Sequence, residues 1–288
     1  MSLRIFIPTA GIGSRLKEYT NNLNKSLVTV DNKPVISHII DSFPKNAEFV
    51  IALGFDGKKV KQVLKLIYPK KKFFFQNINK YKGRGSGLGH TLLSCKKYLQ
   101  QPFIFVSCDT IFRGNIPLLK ENWIGYDNSK LSSSYRKIKF YNGYVSSFYK
   151  KKSKANKLVR NYIGLAGIKD YQIFWNQMKL GKKKAIIEGE VYGLDKLIPN
   201  KIKAHKFKWY DTGNLESLNY TKKKIKKDIY NILEKKNEAI WFTINNEVIK
   251  FSNDTKFIKE RILRQHYLKK YTPKIIRYNK YSYCYKKI

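Results

Sequence analysis

Cysteine is scarce. The 288-residue chain has three, Cys95, Cys108 and Cys284, and their spacing offers neither a disulfide framework nor a paired metal-ligand motif. Long apolar runs are missing as well, with nothing near the about 20 residues that a membrane-spanning helix needs. The first strand starts almost at once, with no signal-peptide architecture ahead of it. These absences set the expectation of a reducing, cytoplasmic protein with no membrane partner. Acidic residues are also few, 20 against 59 Lys and Arg, leaving a net charge of +39. Such charge suits nucleic-acid binding. Here, however, lysine supplies most of it and arginine little, and the lysines are dispersed instead of clustered with aromatics. They read as solvated faces, with no specific nucleic-acid partner expected.

What is present is concentrated in the first forty residues. Arg4-Ile5-Phe6-Ile7-Pro8 reads as a short buried strand. Thr9-Ala10-Gly11-Ile12-Gly13-Ser14-Arg15-Leu16 then forms a glycine turn that should feed a helix. Gly11 and Gly13 let the backbone curl and aim N–H groups at phosphate. Arg15 and Lys25 add full positive charges. There is no third glycine two residues on and no following Walker lysine. Neither the dinucleotide fingerprint nor the P-loop therefore applies, and the glycines alone are equally consistent with a plain strand-to-helix turn.

Further along, strands alternate with helical stretches. Glu48–Leu53 and Phe73–Gln76 read as strands, and Val35–Phe43 and Lys58–Ile67 as helices. This alternation predicts an α/β fold with a parallel sheet flanked by helices on both faces. Gly83-Arg84-Gly85-Ser86-Gly87-Leu88-Gly89 precedes a predicted helix over His90–Leu99. Phe103-Ile104-Phe105-Val106-Ser107-Cys108-Asp109 is an apolar strand ending in a carboxylate. Ligands of open α/β sheets bind beyond strand carboxyl ends, and an aspartate there suits Mg²⁺. Cys108 reads as a structural thiol behind that position.

Asn142-Gly143 signals a hairpin between strands at Ser132–Lys139 and Tyr144–Tyr149. Lys150–Lys157 reads as a basic loop. Tyr162–Ile168 is a strand containing Gly164, Tyr171–Met178 a helix, and Ile202–Phe207 a strand. Trp209-Tyr210-Asp211-Thr212-Gly213 places a second carboxylate at a strand end, with a helix after it.

Taken together, Gly-x-Gly-Ser-Arg-Leu, a basic residue about ten further on, Lys33-Pro34 opening a helix, and Trp209-x-Asp211-x-Gly213 resemble the sugar-phosphate nucleotidyltransferase family. That family includes phosphocholine cytidylyltransferases. Its usual pattern has Lys-Pro where Lys25-Ser26 stands, and Ala-Ala or Ala-Gly-Gly where Thr9-Ala10-Gly11 stands. The resemblance spans residues 4–220. It implies a Rossmann-like, GT-A-type, mixed and mostly parallel sheet, within a nucleotidyltransferase domain over residues 1–226.

The resemblance also assigns roles. Asp109 and Asp211 would share Mg²⁺. Ala10, Gly11, Gly13, Ser14 and Arg15 would hold the triphosphate, with Lys25 near the α-phosphate. Ser86 and Gly87 would meet base and ribose, with Gly85 as the turn of that nucleotide-binding loop, and Gly164 and Glu190 would meet the acceptor. The implied partners are an NTP (CTP, UTP, dTTP or GTP) and a phosphorylated sugar or small alcohol. The implied product is a precursor for surface polysaccharide or lipid.

Residues 227–288 form a different segment, a small α+β piece. Ala239–Phe242 and Val248–Phe251 read as a hairpin, Lys256–Lys269 as a helix, and Thr272–Ile276 and Tyr281–Tyr285 as strand-like. This order resembles the start of a choline-kinase or aminoglycoside-phosphotransferase small lobe, in which Lys250 and Glu260 would pair to orient ATP phosphates. No catalytic-loop aspartate is present in this stretch, so the expectation is an incomplete kinase-like lobe, either part of a longer two-domain protein or a remnant.

Overall fold

Alternating residues of the early strands face two separate cores. In the computed structural model, which describes residues 2–129, 135–149, 159–225, 232, 235 and 237–288, Ile5, Ile7, Phe49 and Ile51 belong to one apolar cluster. Phe6, Val50, Ala52 and Phe105 belong to another. This two-fold alternation is what a sheet covered on both faces produces.

The elements run β1 (Arg4–Pro8), β2 (Thr29–Val30), β3 (Lys33–Pro34), α1 (Val35–Ile40), β4 (Glu48–Leu53), α2 (Gly57–Ile67), β5 (Phe73–Asn77), α3 (Leu88–Cys95), β6 (Phe103–Val106), β7 (Thr110–Arg113) and β8 (Asn122–Asp127). They continue with β9 (Lys137–Tyr141), β10 (Tyr144–Tyr149), β11 (Val159–Ile168), α4 (Tyr171–Leu180), α5 (Lys182–Glu188), α6 (Glu190–Asp195), β12 (Ile202–Lys206), β13 (Lys208–Asp211) and α7 (Leu215–Ile225). The last are β14 (Glu238–Phe242), β15 (Glu247–Ser252), α8 (Thr255–Tyr267), β16 (Ile275–Tyr278) and β17 (Ser282–Lys286).

The main sheet is nine-stranded among the described residues, in the order β5-β4-β1-β6-β11-β8-β12-β10-β9. Its first four strands are parallel, as the strand–helix alternation predicts. The expected mostly parallel character stops there. β6–β11, β11–β8, β12–β10 and β10–β9 are antiparallel, and only β8–β12 in that half is parallel. The β9–β10 link is a tight turn through Asn142 (φ 46°) and Gly143 (φ 80°), the predicted hairpin, and such a turn joins only antiparallel strands.

Several local expectations shift. The stretch after Gly13 is a 3₁₀ turn, Ser14–Thr20, broken at Lys17 (φ 49°, ψ −120°), and not the regular helix expected. Strands β7 and β8 and helices α5 and α6 fall in stretches without clear periodicity. The strand expected from Ser132 begins at Lys137; Ser132–Ser134 and the basic loop Lys150–Lys157 lie outside the described residues.

Strands β14–β17 form a second, antiparallel sheet in the order β14-β15-β17-β16. The division expected at residue 226 falls at the edge of 226–231, outside the described residues. One face of this sheet carries Trp241, Ile249, Phe251 and Cys284 into the same apolar cluster as Ile5 and Ile51. Trp241 Nε1 donates to Thr29 Oγ1 (2.8 Å), and the Phe242 N–H donates to the Asn32 carbonyl (2.8 Å).

Candidate active site

Three chain segments meet beyond the carboxyl ends of β1, β6 and β13. The first follows β1. Thr9 is tied down by its Oγ1, which donates to the Ala52 carbonyl (2.7 Å). Gly11 then stands exposed, with open space where a Cβ would sit. Gly13 takes φ 76°, a value glycine adopts without strain. The turn it starts carries Arg15, whose side chain is 56% exposed and so has room to reorient toward a ligand.

Lys25 sits on a single 3₁₀ turn organised by a fully buried residue that sequence reasoning did not single out. The Asn24 amide donates to the carbonyls of Thr9 (2.8 Å) and Phe55 (2.6 Å), while its Oδ1 accepts from the Ser26 N–H (3.0 Å) and Oγ (2.7 Å). This gives the Lys25-Ser26 departure a physical reason. Both the N–H and the hydroxyl of Ser26 are used, and a proline could supply neither.

The second segment follows β6 and ends at Asp109, and the third ends β13 at Asp211. Register does the pairing that spacing cannot: antiparallel β7–β13 sets Asp211 opposite Thr110, one residue from Asp109. Thr212 reinforces this, with its N–H (2.9 Å) and Oγ1 (3.0 Å) both donating to the Asp109 carbonyl. A Cβ placed on Gly213 would lie 3.1 Å from Asp211 Oδ1, 3.2 Å from Asp109 Oδ2 and 3.3 Å from an Arg15 guanidinium nitrogen. Both carboxylates and the arginine therefore surround one point.

Lys25 Nζ lies 3.0 Å from Asp109 Oδ2, and Arg15 lies 3.9 Å from the same oxygen. Burial alone would push the Asp109 carboxyl up, but Lys25 and Arg15 outweigh it and hold it below the usual carboxylate range. Burial likewise opposes the Lys25 charge, and Asp109 more than restores it, so the amine sits above its ordinary value. Asp211 moves the other way: burial and the neighbouring Asp109 charge both raise its carboxyl. Cys108 is buried, and burial pushes its thiol up to about 11, against the pull of Lys25. That fits the structural role expected of it.

Two adjacent carboxylates, one destabilised by the other, form a donor set suited to a hard cation. Among the described residues no group of three or more His, Cys, Asp or Glu could cage a metal alone. Mg²⁺ does not require one, because it retains waters and takes substrate phosphates alongside one or two carboxylates.

The cleft in front of these groups has a volume of about 410 Å³ and is lined by Ala10, Gly11, Arg15, Lys25, Asp109 and Asp211. Ser86, Gly87, Gly164 and Glu190 line it too. Gly87 (φ 152°) lets the loop press against α5, where a Cβ would come within 2.8 Å of the Ile186 carbonyl. Gly164 (φ 71°) sits where β11 is irregular between Tyr162 and Ala166, and a Cβ there would lie 2.5 Å from Ser107 Oγ. Glu190 is buried on α6 beside Tyr162, whose hydroxyl it raises together with burial.

Some expectations do not hold. Gly13 and Ser14 lie outside the cleft lining, as does Gly85, whose φ of 81° is that of the turn expected there; Gly13 takes φ 76°. Lys250 and Glu260 belong to the second sheet and α8, and they are not joined: Glu260 makes its ion pair with Lys256 (3.9 Å), one turn earlier on the same helix. Missed altogether were Tyr135 and Arg136. Tyr135 donates its hydroxyl to Asp211 Oδ2 (3.0 Å) and packs edge-on against Trp209, with ring centroids 4.7 Å apart. Arg136 donates to the Glu188 carbonyl (3.0 Å) at the cleft wall. Their stretch lacks any glycine or strand-end signal that would have marked them.

No protein-family model matches the chain. The bifunctional protein GlmU of Methanococcus vannielii is 28% identical over 121 residues, 42% of this chain and 27% of that protein. The chain therefore spans about a quarter of the length of that curated relative. Among solved structures, a UDP-glucose pyrophosphorylase complexed with UDP-glucose superposes with a TM-score of 0.65 at 18% identity, covering 78% of this chain and 98% of the other. The CTP:phosphocholine cytidylyltransferase of Streptococcus pneumoniae (LicC) superposes with a TM-score of 0.63 at 16% identity, covering 78% and 100%. The chain shares the Rossmann-like α/β fold of these nucleotidyltransferases.

Proposed function

We propose that this protein is a Mg²⁺-dependent nucleotidyltransferase. It joins an NTP to a phosphorylated acceptor, a sugar 1-phosphate or small phospho-alcohol, and releases pyrophosphate. The observation that carries this reading is the Lys25–Asp109–Arg15 cluster facing Asp211 at the mouth of one cleft. The names of its relative and fold neighbours point the same way.

In this reading Gly11 and Arg15 receive the β- and γ-phosphates, and Lys25 lies beside the α-phosphate. An acceptor phosphate oxygen attacks the α-phosphorus, a new phosphoanhydride bond forms, and the bond to the β-phosphate oxygen breaks. That oxygen leaves with the bonding pair as pyrophosphate. No proton transfer to carbon and no covalent enzyme intermediate is involved. The protein holds two anions in line and offsets their charge. Asp109 and Asp211 would hold Mg²⁺, which when bound adds Lewis-acid polarisation of phosphate oxygens. Ser86 and Gly87 face the nucleoside end of the cleft. Glu190 faces the acceptor end, where a buried carboxylate suits a hydroxyl or amine.

A second reading, a CTP-specific enzyme acting on a phospho-alcohol, draws on the same Glu190 beside Tyr162, an acidic and aromatic wall that favours a cationic headgroup. The product of either reaction would be an activated precursor for surface polysaccharide or lipid.

Pyrophosphate release, measured with Mg²⁺, each of four NTPs and a panel of sugar phosphates and phospho-alcohols, tests the proposal. Release with one NTP–acceptor pair, lost in Asp109→Ala, is the expected result. Equal release from wild type and variant, or none with any pair, would count against it.

A further inference from the structure

The second sheet has one face in the protein core and another covered by α8. On that second face, register aligns Ile240, Lys250 and Tyr283 across β14, β15 and β17. They line a separate cleft of about 550 Å³, together with Tyr285 and, from α8, Phe257, Arg261 and Arg264. Lys250 is only partly exposed, in the middle of a sheet face. Among the described residues neither it nor Arg264 makes an ion pair, and the Arg261 guanidinium rests on the Phe257 ring, 4.7 Å from its centroid, within the about 6 Å reach of a cation–π contact. Among the described residues the cleft's one carboxylate is Glu238, and it is engaged by Lys235 at 3.4 Å. Lys250, Arg261 and Arg264 thus line a concavity that holds no free anion among the described residues, beside the near-parallel rings of Tyr283 and Tyr285 (centroids 6.2 Å, 28°). Drawing a lysine partly out of water is unfavourable unless an opposite charge compensates it.

We propose that this cleft is a second ligand site, independent of the first, for a small phosphorylated molecule that carries a planar ring. The phosphate meets Lys250, Arg261 and Arg264, and the ring lies against Tyr283 and Tyr285. Charge and shape both follow from the lining: guanidinium and ammonium groups favour phosphate oxygens, and tyrosine faces favour flat, apolar rings.

Hydrogen exchange followed by mass spectrometry on the full chain, with AMP and with inorganic phosphate as separate probes at millimolar concentration, locates binding. The expected result is protection of peptides within residues 247–267 and 282–286 by AMP, weaker with phosphate alone. Arg264→Glu and Lys250→Gln each weaken AMP binding at these peptides by at least about tenfold, whereas Lys259→Glu on the exposed side of α8 does not. Arg264 and Lys259 are exposed, so their variants report on charge with the fold intact. Absence of protection there, or protection that survives both Arg264→Glu and Lys250→Gln, overturns the proposal. Protection confined to peptides around residues 9–28 and 105–113 would place AMP in the first cleft alone and also overturns it.

Discussion

Lys25 Nζ and Asp109 Oδ2 are 3.0 Å apart, although 84 residues separate them in the chain. The contact joins the segment after β1 to the end of β6, and so fixes the two cleft walls relative to each other. Each side chain keeps the other charged against the cost of burial. Lys25→Ala should therefore do more than remove a phosphate contact. It leaves Asp109 with only the more distant Arg15. Pyrophosphate release should fall by about 10²–10³-fold in kcat/KM, the scale of removing one preorganised electrostatic contact. Steady-state kinetics on the variant checks this.

Asn24 carries the turn that presents Lys25. Asn24→Ala leaves the Thr9 and Phe55 carbonyls and the Ser26 N–H without their side-chain partner. It should cost about 1–3 kcal/mol in urea unfolding, and lower activity without touching any group that meets substrate. Loss of stability without loss of activity would mean that the turn keeps its shape unaided.

Gly164 combines φ 71° with a hypothetical Cβ only 2.5 Å from Ser107 Oγ. Ser107 stands two residues before Asp109, and its N–H donates to the Gly164 carbonyl (2.8 Å). Gly164→Ala should destabilise the protein by about 1–3 kcal/mol and displace the Asp109 segment, so that thermal melting and kcat both fall.

Much of this arrangement was legible in the residues and some was not. Asp109 closely follows the apolar strand β6, Asp211 ends β13, and Gly11, Arg15 and Lys25 follow the first strand; these are local signals, and the residues do meet. Glu190 was legible only as a position, and its burial is a tertiary fact. Tyr135 was invisible because its value to the site comes from packing on Trp209 and reaching Asp211, 76 residues away. The antiparallel half of the sheet was hidden for a related reason. Strand direction there depends on non-local pairing, which periodicity does not encode. Lys250 was noticed, but assigned the wrong neighbour, since Lys256 lies within reach of Glu260 on the same helix face.

His38 supplies a pH dependence remote from the cleft. It is buried on α1, with Nε2 2.8 Å from the Val30 carbonyl, and burial lowers its pKa to about 4. The unfolded chain, with an ordinary histidine near 6.5, binds the proton more readily. His38 therefore favours the folded state above about pH 6.5, and that contribution is lost as pH falls toward 4. The loss should approach roughly 3 kcal/mol and then level off. Urea midpoints across this window should show it, and His38→Gln should flatten it.

Trp241 ties the second sheet to the β2–β3 hairpin through Thr29 and is fully buried. Trp241→Ala should cost about 3–5 kcal/mol. Proteolysis should then release residues from 237 onward before the main sheet unfolds.

The central claim is that an acceptor phosphate displaces pyrophosphate from an NTP in the cleft formed by Lys25, Asp109 and Asp211. Its most direct test follows a radiolabel on the α-phosphorus of each NTP, in the presence of Mg²⁺ and a pool of sugar phosphates and phospho-alcohols. The account predicts that label appears in a nucleoside-diphosphate-linked product, matched one for one by unlabelled pyrophosphate, and that both fall by about 10³-fold in Asp109→Asn. Label released as free nucleoside mono- or diphosphate, at a rate the substitution leaves unchanged, would contradict it.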